Sequence, residues 1–267
     1  KTPASTTTPK LVILSSANDY LLIFIGESVM NVLIVHAHPE AQSFTSAMKS
    51  AAVEDFTAAG HSVVVSDLYA MNWNPVASAD DFASRGNADY LNYALEQRTN
   101  ADAHTLAPDI VAELEKLEAA DLVIFSFPLY WFSVPAILKG WFDRVLVSGR
   151  VYGGRRFYDQ GGLKGKRAML ALTCGGRDYM LAEGGIHGDI EKILMPVLQG
   201  TLAYTGMTVL PSFVGYHVPY LSTEARAEIL QNFRQHVANW QQLQPLSMPV
   251  LAAFDREMKR LPSALEF

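Results

Sequence analysis

The sequence predicts a doubly wound α/β fold, a parallel sheet with helices on both faces. Three observations lead there. NVLIVH at 31–36 and SVVVSD at 62–67 are short apolar-rich runs separated by a helical pattern, the βαβ opening of such folds. The run from Asp121 to Phe127 is apolar almost throughout, as in a strand covered on both faces, and follows the amphipathic PDIVAELEKLEAAD. Runs around Arg167–Thr173 and Thr208–Phe213 complete five strands, with expected order 2-1-3-4-5.

The first helix is expected from Ser43 to about Ala59, where Ala59-Gly60 stops it. Leu68 to Ala107 reads as a long irregular region, and a helix begins at Pro108. Pro128 closes the third strand. Pro135 sits where a helix takes a proline as its first residue, and Ile137, Leu138, Trp141, Phe142 and Val145 repeat at helical spacing. Leu129 to Val134 is therefore a βα loop. After the fourth strand come a glycine-rich loop and a helix from about Ile190 to Thr205. The closing helix runs from Thr223 to about Trp240, capped by Ser222 or Thr223.

These elements give one domain, 30–242, with an extension at each end. Residues 1–29 pair a polar start, KTPASTTTPK, with two apolar bursts too interrupted for a membrane span, which needs roughly 20 apolar residues. No Ala-x-Ala-like cleavage site follows them, and Met30 looks like a chain start. We expect an extension without a role in the fold and no stable membrane insertion. Residues 243–267, broken by Pro245, Pro249 and Pro262, are expected to form an arm across a partner subunit, a loosely held tail being the alternative.

Lys and Arg number 21 against 27 Asp and Glu, a net charge of −6, and no basic cluster stands out along the chain. That argues against nucleic acid and anionic membranes and for small-molecule partners. The single cysteine, Cys174, excludes an internal disulfide and fits a cytoplasmic protein. The pair His36 and His38 is too little for a metal site, and none is expected.

Loops at the carboxyl ends of strands hold ligands in such sheets. In the first, HAHPEAQSFTSAMK, Ser43, Phe44 and Thr45 open a helix where free N–H groups and hydroxyls can bind phosphate, although Ser43 could simply cap. His38 could donate to the same ligand. The third carries Tyr130, Trp131 and Phe132 between prolines; three consecutive aromatics cannot all point inward, and they suit a planar ring system. In the fourth, Gly175 and Gly176 let backbone approach a flat ligand, or merely form a tight turn. His187, in GGIHGD, could hold charge or deliver a proton.

Together, SDLYAMNWNPV, the run LAPDIVAELEKLEAADLVIFSFPLYWFSVPAILKGWFDRV, GGIHGD and ARAEIL resemble the FAD-dependent NAD(P)H:quinone oxidoreductases of the DT-diaphorase type, within the flavodoxin-like superfamily. The resemblance covers roughly Asn31 to Ala253. It implies two-electron transfer from NADH or NADPH through bound FAD to a quinone, by a ping-pong route, in a homodimer. Ser43, Phe44, Thr45 and His38 match the family's FAD phosphate and ribityl segment. Pro128, Leu129, Trp131 and Phe132 match its flavin-facing loop, and Thr173, Cys174, Gly175 and Gly176 the loop under the ring. Arg226 matches an arginine on the adenine side. His187 falls on the catalytic histidine and Met180 on a cavity methionine. Tyr152, Tyr204 and Phe254 fall on aromatics that close the cavity from the other subunit.

The sequence also departs from the family. A second cavity tyrosine falls on Gly154, and the tyrosine partnering the catalytic histidine falls on Leu181, with Tyr179 two positions earlier as a substitute. A more open cavity is implied. NADH and NADPH are not distinguished, Arg155, Arg156 and Arg177 being the candidates to read a 2′-phosphate. A nitro- or azo-reductase is the nearest alternative, and a flavodoxin-like regulatory subunit of a potassium-efflux transporter the alternative of another class.

Overall fold

The computed structural model describes residues 10–16, 19–25 and 29–262. Residues 1–9 of the expected extension and 263–267 of the expected arm lie outside the described residues. Within the extension, β1 (Lys10–Ser16) pairs antiparallel with β2 (Asp19–Ile25) in a two-stranded sheet of its own.

The main sheet is parallel. β3 (Asn31–His36) lies between β4 (Ser62–Asp67) and β5 (Leu122–Pro128), and β5 is followed by β6 (Arg167–Thr173). The outer position is shared by β7 (Thr208–Val209), beside Arg167 and Ala168, and β8 (Phe213–Gly215), beside Ala171 to Thr173. The expected order 2-1-3-4-5 is present, with its last strand in two pieces. Pro211, which has no N–H to continue a ladder, sits in the break.

Strand residues alternate between two cores, as a period of two requires. Leu33, Val35, Val123, Phe125, Leu170 and Leu172 pack on one face with α3 (Pro108–Ala119) and α4 (Ala136–Val145). Val32, Ile34, Ile124, Met169 and Ala171 face the other core, with α1 (Phe44–Ala58) and α7 (Thr223–Ala238). Coverage on both sides explains why the central strands are apolar throughout.

The region 68–107 is not wholly irregular: α2 (Tyr93–Ala103), capped by Asn92, lies within it. Its inward face carries Glu96, Gln97 and Asn100 rather than aliphatics, so hydrophobic periodicity could not reveal it. Glu96 instead accepts from the N–H groups of Gly86 and Asn87. The segment is fastened to α4 by Arg144, which donates to Asp81 (2.7 Å) and Asp109 (2.7 Å). Gly140 lets the two meet, since a Cβ there would sit 2.1 Å from the Pro75 carbonyl oxygen.

The helix expected over Ile190–Thr205 is broken into α5 (Ile190–Ile193), α6 (Met195–Val197) and a π-helical turn at Leu198–Ala203. Pro196 and Gly200 account for it. Pro135 caps α4 instead of starting it. After α7 the chain returns to the sheet, where Leu246 donates its N–H to the Val209 carbonyl and Leu251 to the Asp159 carboxylate. No helix among the described residues is long and apolar enough to cross a membrane.

Candidate active site

The carboxyl ends of β3, β5 and β6 and the first turn of α1 enclose a cleft of about 410 Å³. Ser43 caps α1, its hydroxyl accepting from the Ser46 N–H at 3.1 Å and donating to Ser46 Oγ at 2.9 Å. The N–H groups of Phe44 and Thr45 lie in the first turn, where a helix supplies no partner, and no acidic side chain occupies that turn. This is an anion-binding end. The Thr45 hydroxyl is not part of it: it is buried and bonded to Thr173 Oγ1 at 2.8 Å, pinning α1 to the end of β6.

His38 and Arg226 line the same cleft. Burial lowers the His38 pKa below its usual value, and Nδ1 accepts from the Glu40 N–H, so the neutral ring carries its proton on Nε2 as a donor. His36 does not join His38. Its ring is buried between Ser126 of β5 and Ser46 of α1. Pro128 and Thr173 stand side by side in the sheet, and Leu129 N–H donates to the Thr173 carbonyl at 2.8 Å, so the chain leaves β5 along the cleft wall.

A second cleft of about 220 Å³ shares Leu129, Cys174 and Gly175 with the first and is walled by Trp131, Phe132, Gly176, Leu181 and His187. Its aromatic wall is a tight turn. Tyr130 and Ser133 exchange both backbone hydrogen bonds, at 3.0 and 2.9 Å. The two residues between, Trp131 and Phe132, hold φ of 49° and 56°. This left-handed backbone costs a residue with a Cβ about 1–2 kcal/mol. Trp131 is nonetheless 97% exposed, so packing within the chain does not compensate. Strain kept to present a ring to solvent is the mark of a binding element.

Opposite the aromatic turn, a Cβ built on Gly175 would meet only Tyr220 Cε2, at 3.8 Å. The open space above this backbone is available to a ligand. His217 supports the loop from behind: its Nδ1 donates to the Gly175 carbonyl at 3.0 Å and its N–H to the Gly176 carbonyl at 2.8 Å. The Cys174 thiol is buried and its pKa raised by burial, which keeps it protonated and packed. His187 is tied through its N–H to the Met180 carbonyl, and its ring lies 5.2 Å from that of Phe132.

Five expected site residues lie outside both clefts in this chain. Tyr179 is 64% exposed and does not pair with His187, whose ring neighbour is Phe132. Met180 meets His187 only through its carbonyl. Tyr152 and Tyr204 pack together at 5.8 Å, with Phe157 stacked on Tyr204, and Phe254 bridges to Arg260 near the chain end. Conversely, Gln42, Val218 and Pro219 line the first cleft without having been expected, and Tyr130 of the aromatic loop joins them there rather than in the second cleft. Val218, Pro219 and the supporting His217 follow β8. The rule that points to loops after the other strands reaches them too, once the broken last strand is recognised. Among the described residues, no group of three or more His, Cys, Asp or Glu is arranged to hold a metal ion.

Comparison with known proteins agrees with this architecture. A family model for the flavodoxin-like fold matches residues 30–240. NAD(P)H dehydrogenase [quinone] 1 of Rattus norvegicus is 43% identical over 229 residues, 85% of this chain and 84% of that protein. Ribosyldihydronicotinamide dehydrogenase [quinone] of Mus musculus is 43% identical over 216 residues, 80% of this chain and 94% of its own length. Among solved structures, a Klebsiella pneumoniae protein provisionally assigned as a quinone reductase superposes with a TM-score of 0.78 at 37% identity, covering 88% of this chain and 93% of the other. The chain belongs to the flavodoxin-like family and, within it, to the NAD(P)H:quinone oxidoreductases.

Proposed function

We propose that this protein reduces quinones with NADH or NADPH, using FAD held across the two joined clefts. The observation that carries the reading is their continuity at Leu129, Cys174 and Gly175, with an anion-binding helix end on one side and an aromatic slot on the other. The residues fit the cofactor. Phe44 and Thr45 N–H groups and Arg226 suit its phosphates, the open backbone at Gly175 its ring, and Pro128 and Leu129 the edge between.

FAD, when bound, supplies the two-electron redox chemistry. The chain supplies the rest. Trp131 and Phe132 offer flat faces to an aromatic donor or acceptor, and a slot of about 220 Å³ takes one such ring at a time, which favours a ping-pong sequence. His187 stands at the edge of that slot and can hold a proton or a positive charge where reduction builds negative charge. Leu181, buried beside it, brings no second proton carrier. Tyr152, Tyr204 and Phe254, outside their own chain's clefts, are assigned to the partner's site in a homodimer. The lone thiol supports a cytoplasmic setting.

The test is an absorbance spectrum of the purified protein under anaerobic titration. NADH or NADPH should bleach a bound flavin, and menadione should restore it; the flavin released by acid should run as FAD on chromatography. A protein that stays colourless when mixed with FAD overturns the reading. Release of FMN overturns the choice of cofactor.

A further inference from the structure

A third pocket, of about 270 Å³, lies between α2 and the loop Gly149–Arg156, and none of its residues lines either redox cleft. Its walls are unusually cationic for a chain with a net charge of −6. Arg98 reaches it from α2 and lies flat on the loop. A Cβ at Gly149 would sit 3.0 Å from Arg98 Cγ, and one at Gly153 would sit 2.8 Å from Nη2. Both glycines also hold positive φ, 88° and 142°. Two backbone positions are thus shaped to receive this side chain. Its guanidinium pairs with no carboxylate among the described residues, not even with Asp102, one helical turn further on.

Arg156 forms the opposite wall. Its Nη1 and Nη2 donate to the Gly149 and Arg150 carbonyls at 3.1 and 3.0 Å, which fixes the guanidinium while leaving N–H groups to spare. Gly153 and Arg156 exchange both backbone hydrogen bonds, so the turn between them presents the Gly154 and Arg155 N–H groups without a protein partner. Nothing lies within 4 Å of where a Cβ on Gly154 would be. Two forked cations and free backbone N–H groups face one carboxylate, Asp102.

We propose that this pocket binds a phosphate monoester, the group carried by a phosphorylated nucleotide or present as free phosphate. Paired guanidinium forks match a phosphate dianion in geometry as well as charge. The Tyr152 ring, also in the wall, offers a flat face for the group attached to it. Cavities for whole organic ligands run from about 300 to 1,000 Å³, so this one takes the phosphorylated end of a larger molecule. Arg98, Asp102 and Arg156 line neither redox cleft of this chain, while Tyr152 is also assigned to the partner's cavity, and to that extent the proposal rests on the homodimer reading.

Calorimetric titration of the purified full chain at low salt with inorganic phosphate and with 2′-AMP tests it. Saturable binding of either is expected. Equal affinities identify phosphate itself as the ligand, and tighter binding of 2′-AMP identifies a nucleotide. Arg98→Gln should weaken binding about ten-fold, the loss of one charge-assisted contact. Asp102→Asn should strengthen it by removing the opposing charge. Circular dichroism melting establishes that each variant is folded, so a protein without flavin or quinone activity still gives a readable result. The absence of saturable binding, or affinities unchanged in both variants, overturns the proposal.

Discussion

His36 donates to Ser46: Nε2 of the histidine lies 3.1 Å from the serine Oγ, and the direction of that bond is fixed by its surroundings. Ser46 gives its own proton to the Glu40 carbonyl and accepts from Ser43, so its remaining lone pair must receive from the ring. Nδ1 then accepts from Ser126 Oγ at 3.0 Å, in the neutral ring. Burial, then the Lys49 ammonium, against an opposing effect of Asp67, lowers the His36 pKa from 6.5 to about 4. The unfolded chain binds the proton more readily, so His36 favours the folded state above pH 6.5, and this contribution is lost as pH falls toward 4. The loss is on the order of 3 kcal/mol. Denaturant titrations should show a shallower decline over this window in His36→Gln than in wild type, despite its lower stability at pH 7. Parallel pH profiles would disprove the linkage.

Trp131 is where stability has been given up for presentation. Because it is almost fully exposed and holds φ of 49°, Trp131→Gly removes strain and little packing. We expect the variant to be more stable by up to about 1 kcal/mol, since glycine adopts this backbone freely. The same change should raise KM for both quinone and nicotinamide. Thermal melting and steady-state kinetics check the two halves, and a variant that melts lower shows that the ring packs against something the strain argument omits.

What the sequence made legible follows from where hydrophobic pattern carries information. Strands β3, β5 and β6, buried on both faces, show themselves as apolar runs, and the loops at their ends can be named as ligand sites by position. Helix α2 does not, because Glu96, Gln97 and Asn100 fill its buried face. The last strand is expected, but its break is hidden for another reason: β7 has two residues and β8 three, too few for alternation to register. With that break unrecognised, His217, Val218 and Pro219 drop out of the expected site although Val218 and Pro219 line it and His217 supports its glycine loop. The engagement of the Thr45 hydroxyl by Thr173 depends on a contact spanning 128 residues, beyond any local pattern.

Gly175 separates ligand binding from folding. Its φ is not in the left-handed region, and an added Cβ would meet only Tyr220 Cε2 at 3.8 Å, an ordinary contact. The folded protein without flavin should therefore tolerate Gly175→Ala and gain about 0.4–1 kcal/mol from the stiffer unfolded chain. The methyl group would occupy the cleft floor where the cofactor ring is expected, and flavin affinity should fall about ten-fold, for about 1.4 kcal/mol. Melting of the stripped protein and fluorescence titration with FAD measure these separately. Unchanged affinity would place the ring elsewhere.

His187 is expected to act on the reaction rather than on cofactor binding. Its backbone is anchored to Met180 and its ring packs against Phe132 at the slot, while the anion-binding turn of α1 lines the other cleft. Removing the ring therefore leaves the phosphate contacts intact. A positioned group that offsets developing negative charge is worth roughly 2.7–4 kcal/mol, so His187→Ala should slow anaerobic flavin reduction by about 10² or more. FAD affinity should change by less than about two-fold, since no contact to the phosphates is lost. Leu181 offers no proton carrier to take over, which makes rescue by a neighbour unexpected. Stopped-flow reduction by NADH at several pH values distinguishes the roles. A His187→Gln enzyme that restores the rate would show that a neutral donor suffices, whereas His187→Ala reduced as fast as wild type would remove this residue from the mechanism.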